Sequence, residues 1–226
     1  MRYLTLLFLL LSTCAWAQEN GVRKSPRAII DAPASQDRFI VALHNDLFLD
    51  APEEMEIRPW SPGFNAYVMY DYPIAKSGIS FAWGYGFSSF NIHSNGEFER
   101  QNPDGGFVRF FRFPSNYRWD KNKFSANYVE IPLEFRFRTR GSSPFKISAG
   151  GKVGYLVNIH TKTIDDNGKR KFYQLPEINR WRYGVVGRIG VGRWSAFAFY
   201  SLSPFLNQDK GIPLTAFSAG ISIALL

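Results

Sequence analysis

Few residues in this chain could do covalent chemistry, and their spacing decides what kind. His93 and Ser94 stand side by side in the run NIHSNG. A hydroxyl becomes a nucleophile when an imidazole takes its proton, so this pair invites a hydrolytic reading. Adjacent residues of an extended strand point to opposite faces, however, which keeps His93 from activating Ser94. His44 and His160 have no Asp or Ser beside them and read as interior or rim residues. Three scattered histidines and the single Cys14 give no metal-ligand spacing. The sequence therefore points to no catalytic, cofactor-binding or metal site.

The stronger chemical pattern is electrostatic. Between Tyr128 and Arg138, Val129, Ile131, Leu133, Phe135 and Phe137 alternate with Tyr128, Glu130, Glu134, Arg136 and Arg138, with Pro132 as the exception. Period two over this length means a strand with one apolar and one ionised face. The pattern recurs. Phe145, Ile147, Val153, Tyr155, Val157 and Ile159 alternate with Lys146, Ser148, Gly150, Lys152, Gly154, Asn158 and His160. Farther on, Trp181, Tyr183, Val185, Ile189 and Val191 stand against Arg182, Gly184, Arg188, Gly190 and Gly192.

The beginning of the chain narrows which solvent the apolar face meets. Arg2 precedes an apolar run from Leu4 to Leu11, and Ala15-Trp16-Ala17 is a small-x-small cleavage site, so residues 1–17 read as a secretory signal peptide that is cleaved. A rival reading takes Cys14 as an acylated lipoprotein site, but Thr13 is a poor residue before such a cysteine. Residues 18–37, polar and containing Pro26 and Pro33, read as a flexible periplasmic leader, and residues 38–226 as the folded domain. No later segment holds 18 or more consecutive apolar residues, which excludes helical membrane spans. The formal charge of +8 points, in an exported protein, to anionic lipid rather than nucleic acid, since no basic tract or nucleic-acid motif is present.

Eight extended segments are predicted, at 38–49, 63–72, 78–93, 124–139, 145–164, 179–192, 194–202 and 214–226. Short links (73–77, 140–144, 193) alternate with long ones (50–62, 94–123, 165–178, 203–213). The expected fold is all-β: an eight-stranded antiparallel up-and-down transmembrane β-barrel with short periplasmic turns and long extracellular loops. A soluble barrel also alternates, with its faces reversed. Two features favour the membrane form. Gly84, Gly86, Gly150, Gly154, Gly184, Gly190 and Gly220 lie on the polar face, where small residues make room for long charged ones in a narrow bore. Aromatics, 17% of the chain, gather near strand ends at Trp60, Phe64, Tyr70, Tyr72, Phe137, Phe145, Trp181, Trp194 and Phe217, as headgroup girdles require.

The bore of such a barrel would hold Asp71, Glu130, Glu134, Arg136, Arg138, Lys152, Arg182 and Arg188. Buried charges need partners, so Glu130 and Glu134 are expected to pair with Lys152 and, across the lumen, with Arg188. The network is then a plug; the alternative is a charge-lined passage for small ions or solutes, a porin, for which eight strands leave little room.

Here the chain resembles a known group, the PorT-like outer-membrane β-barrel proteins of Bacteroidetes. The resemblance rests on the signal peptide, "DRFIVALHNDLFLD", "WSPGFNAYVMYDYPI" running to "FAWGYGFSSFNIHSNG", "NYVEIPLEFRFRT" and the closing "PLTAFSAGISIAL". It implies an integral protein of the bacterial outer membrane with no established catalytic residues. The chain departs from many outer-membrane barrels in closing on Leu225-Leu226 rather than an aromatic residue. His93-Ser94 resembles the His-x-Ser-Asn signature of lipid A deacylases loosely, lacking its intervening residue, so a lipid-modifying enzyme is the third reading.

The long link 94–123 contains the turn signal Asn102-Pro-Asp-Gly-Gly106 and is expected to form a hairpin projecting beyond the membrane. Arg109, Phe110, Arg112, Phe113, Arg118 and Lys121 are its candidate contacts with lipopolysaccharide or an envelope protein partner; the alternative packs Phe110 and Phe113 on the barrel rim. The sequence thus predicts a monomeric barrel with a structural or interaction role in the cell envelope.

Overall fold

The computed structural model describes residues 38–225 apart from 75–76, 102–106, 142, 167, 174–176 and 208. The signal peptide, the leader and the Asn102–Gly106 turn expected from sequence lie outside the described residues. Eleven strands are described: β1 Phe39–Phe48, β2 Pro62–Pro73, β3 Ile79–His93, β4 Gly96–Arg100, β5 Val108–Arg112, β6 Trp119–Arg138, β7 Phe145–Asp165, β8 Gly168–Phe172, β9 Trp181–Val191, β10 Trp194–Ser201 and β11 Ala216–Leu225.

Eight of them close a ring in the order β6, β3, β2, β1, β11, β10, β9, β7, with β7 returning to β6. Each barrel strand pairs antiparallel with the barrel strands before and after it, and the first pairs with the last. This is an up-and-down barrel with no open edge in its wall, which satisfies backbone polar groups where no water can reach. Three tight connections, 74–78, 139–144 and 192–193, lie at one end. The tightest places Gly192 at φ 60° between the paired Val191 and Trp194, the arrangement of a II′ turn that matches strand twist. The long connections lie at the other end, where β4 and β5 form a separate hairpin and β8 folds back on β7. The β4–β5 hairpin is the one expected within the 94–123 link, β8 is absent from the eight segments predicted, and β6 starts five residues earlier than expected.

The faces of the wall are inverted relative to a soluble domain. Val129, Ile131 and Leu133 are 49%, 46% and 45% exposed, and they belong to an outward belt with Phe135, Phe137, Ile147, Tyr183, Val185, Ile189 and Ile221. Glu130 and Glu134, between them in sequence, are each 1% exposed and face the bore. An apolar exterior of this extent is unstable in water and stable in hydrocarbon. The belt on β6 runs nine residues, Val129 to Phe137, matching what a tilted strand needs to span a bilayer. Pro132 sits mid-span, and the β3–β6 ladder skips Ile131 and Pro132, as expected where no N–H is available.

One phase assignment from sequence is corrected. Tyr128 pairs with Leu156 and Asn127 with Asn158, so Val157 is an extra, bulged residue. A bulge reverses the alternation beyond it. Ile159, predicted outward, packs on the inner apolar cluster, and Asn158 and His160, predicted inward, share the outer face with Asn127 and Ser125.

Candidate functional site

The bore is built by opposing large inward side chains with absent ones. Glu130 on β6 lies between Gly86 on β3 and Gly154 on β7, and Glu134 between Ala82 and Gly150. A methyl group added at Gly154 would come within 2.9 Å of the Glu130 side chain, and one at Gly86 within 2.5 Å of the Tyr67 ring. The glycine-rich polar face thus leaves room for ionised groups that could not otherwise fit side by side.

The charges fall into two clusters. In the first, Glu130 accepts from Lys152 Nζ at 2.9 Å, from the Arg182 guanidinium and from the Tyr67 hydroxyl. Lys152 Nζ lies 3.9 Å from the Phe199 ring centre, and the Arg182 guanidinium 3.8 Å over Tyr128 and 2.9 Å from Ser88 Oγ. One carboxylate thus faces two cations, and aromatic faces stabilise the surplus positive charge. In the second, Glu134 accepts from Arg188, from Arg136 Nε at 3.2 Å and from Ser148 Oγ at 3.2 Å. Arg136 also donates to Asp71 Oδ1 at 2.9 Å, and Arg138 Nη2 lies 3.9 Å from Asp71 Oδ2.

All eight residues singled out in sequence therefore face the bore, with their partners divided. Lys152 pairs with Glu130 rather than Glu134, and Arg188 takes Glu134. Tyr67, Tyr128 and Phe199 were not singled out as ligands of the charges. On β2 the spacing could have found Tyr67, since it lies two positions from Asn65 and four from Asp71 on one face.

A third polar group was also missed. Asp46 Oδ1 accepts from Ser218 Oγ at 2.6 Å and meets His44 Nδ1 at 2.8 Å, all three being buried. The carboxylate stands between hydroxyl and imidazole, so Ser218 hands its hydrogen to Asp46 and the ring does not activate it. His93 and Ser94 are not joined either: Ser94 Oγ donates to Gly96 O at 3.2 Å, and His93 pairs across the strand with Lys123.

Little space remains. A cavity of about 30 Å³ opens at the short-turn end among Ile40, Glu134, Arg138, Lys146, Arg188 and Ser222. That is room for one or two waters. The opposite mouth is filled by Phe48, Phe90, Ile92, Phe124, Phe205 and Leu206, on which Phe98, Val108 and Phe110 of the β4–β5 hairpin close. Phe205 holds this roof together, with ring centres 5.0 Å from Phe48 and 5.2 Å from Phe124.

The hairpin corrects the expectation that Phe110 is an outward contact. Alternation along β5 sends Val108 and Phe110 inward, and Phe110 is 5% exposed. Arg109, Phe111 and Arg112 point outward. Arg112 pairs with Glu56 at 3.0 Å, Phe113 stacks on Tyr117 and Trp119, Arg118 is exposed, and Lys121 is half-buried at the start of β6. The hairpin does not project freely, since Val108 N donates to Lys210 O and Ile212 N to Val108 O.

No curated protein sequence matches the chain. Among solved structures, that of Ail, the attachment invasion locus protein of Yersinia pestis, is similar over 82% of this chain and 95% of its own, at 13% identity and a TM-score of 0.29. A likeness of that size has no bearing on function. A family model described as the outer membrane protein beta-barrel domain matches residues 40–206, from β1 through β10 and into the connection that follows. With that match covering most of a closed, apolar-walled barrel, the chain belongs to the outer membrane protein beta-barrel domain family.

Proposed function

We propose that this protein of the bacterial outer membrane acts by contact with other envelope components, with its bore plugged by the charged network. The observation that carries the reading is mutual satisfaction within the lumen: Glu130 with Lys152 and Arg182, Glu134 with Arg188 and Arg136, Asp71 with Arg136 and Arg138. A conducting pore needs charged groups free to exchange partners with a passing ion, and rows of paired ions in a bore this narrow oppose that. The Ser218, Asp46 and His44 arrangement supports a non-enzymatic role, because the hydroxyl donates to the Asp46 carboxylate and the imidazole is turned to that carboxylate rather than to the hydroxyl. The working surface is then the loop end, where Arg109, Phe111, Arg112 and Arg118 face outward toward glycolipid or a protein partner. Within the family, the blocks from Arg38 to Leu225 support kinship with the PorT-like barrels.

Planar-bilayer recording with the purified barrel tests the central claim. The expected result is no reproducible conductance step; stable steps that change size in Glu134→Ala would establish the small-solute porin reading instead. Cross-linking in intact envelopes, followed by capture of the barrel, identifies the contact.

A further inference from the structure

Above the apolar belt, the wall continues on β6, β7 and β8 as a small sheet standing clear of the hydrocarbon. Its outer face is a ladder of basic residues. Lys123, Lys162 and Lys171 are successive cross-strand partners on β6, β7 and β8, and Lys123 pairs on its other side with the buried His93 of β3. In the next row toward the loops, Lys121 and Lys169 flank Ile164, and in the row below, His160 stacks near Tyr173 at 6.0 Å. The Val157 bulge creates this face, since without it Lys162 would turn inward with Thr161 and Thr163 in place.

Like charges directly opposite one another destabilise a sheet. None of the five lysines makes an ion pair among the described residues, whereas Asp165 pairs with Arg170, Glu56 with Arg112, and Glu177 with Arg100 and Lys210. The repulsion is felt along the ladder. Lys169 foremost holds Lys162 below its ordinary range, and burial followed by Lys121 and Lys162 does the same to Lys123. Burial, then Lys121, Lys123 and Arg58, brings His93 down to about 4. Edge protection accounts for lysines on β8, an edge strand. It does not account for Lys121, Lys123 and Lys162, which lie on interior strands.

We propose that this face of β6, β7 and β8 is a binding site for the phosphate-bearing head group of an outer-leaflet glycolipid. Charge complementarity requires an anion with several phosphates to span rows of lysines about 5 Å apart. Continuity with the belt selects a lipid as its source. Lys123 is six residues beyond Val129, about 20 Å along the strand and about 15 Å in height at a barrel tilt of ~40°. The ladder therefore stands directly over the exposed Val129, Tyr155 and Trp181, against which acyl chains would lie.

The full chain, refolded in detergent micelles, is titrated with bisphosphorylated lipid A and with its dephosphorylated form. The variant combining Lys121→Gln, Lys123→Gln, Lys162→Gln and Lys171→Gln is expected to bind phosphorylated lipid A at least tenfold more weakly. Binding by the unaltered chain is expected to weaken as salt rises and to be lost with the dephosphorylated lipid. The pair Arg140→Gln and Arg193→Gln, exposed at the short-turn end, serves as the control and keeps full affinity. Lys162→Gln with Lys171→Gln replaces the fourfold variant if that one does not fold. Unchanged affinity in the lysine variants, equal binding of the dephosphorylated lipid, or equally tight binding of soluble polyphosphate overturns the proposal. None of these readings depends on whether the bore conducts.

Discussion

The two ends of the bore are buried by different chemistry. Toward the short turns, ionised side chains meet one another across a space that glycines keep open, as Glu130 does between Gly86 and Gly154. Toward the long loops, aromatic and aliphatic groups pack under a lid in which Phe98, Val108 and Phe110 of the hairpin join Phe90, Phe124 and Phe205. The charged end is specified by partners, each of which leaves an uncompensated ion if its mate is lost. The roof is specified by volume, and its contacts are many and individually weak. Damage should therefore be concentrated at single residues in the first region and graded in the second.

The sharpest break in that contrast is Glu130→Ala. It strips Lys152 and Arg182 of their shared carboxylate in a place no bulk water reaches, and removal of one member of a buried pair costs about 3–5 kcal/mol. Denaturant unfolding in micelles or vesicles measures it. Adding Lys152→Met to Glu130→Ala should recover part of the loss, with a coupling of roughly 1–3 kcal/mol. Strict additivity of the two substitutions would mean the cluster is not held by that pair.

Phe205→Ala probes the roof. The expected loss is again about 3–5 kcal/mol, but of a different kind: neighbouring rings can partly collapse into the space, so Phe205→Leu should recover most of it. Phe110→Ala, at the lid rather than the centre, should cost less, because the hairpin carrying it is also tied by backbone bonds between Val108 and the 210–212 segment. If Phe205→Leu proves as damaging as Glu130→Ala, the roof depends on specific geometry and the contrast fails.

The same contrast explains what could be read in the sequence. The charged end lies on strands whose alternation is unbroken, so Glu130, Glu134, Arg136, Arg182 and Arg188 could be assigned to the bore by counting alone. Their division into two clusters could not, since which cation reaches which carboxylate depends on shear between strands far apart in sequence. The roof was illegible for another reason. Met55, Phe98, Val108, Phe110, Phe205 and Leu214 come from connections or from the short hairpin, where no period survives to show a face. The Val157 bulge likewise has no strong signature in its own residues, and every assignment beyond it on β7 inherits the wrong phase.

The smallest expected effect lies where three loop-end elements meet. Glu177 receives Arg100 of the hairpin at 2.8 Å and Lys210 at 3.3 Å, and holds this position with a left-handed φ of 57°, uncommon for a residue with a side chain. Hydrogen bonding from Lys210 foremost, helped by Arg100, holds its carboxyl below the usual range. A depressed folded-state pKa contributes stability that is fully present above the ordinary carboxylate range and fades as pH falls toward the depressed value. Its cationic partners Arg100 and Lys210 are exposed to water, so the effect belongs to local opening rather than to global unfolding. Hydrogen exchange of the Asn179 and Asn207 amides, whose carbonyl acceptors lie at Phe205 and Glu177, reads it. Exchange at neutral pH should be faster in Glu177→Gln than in the unaltered chain, and after correction for intrinsic rates the two should converge in acid. A difference that persists unchanged at pH 3 would mean the loops are held by packing alone, and the charged logic of the lower bore would have no counterpart at this end.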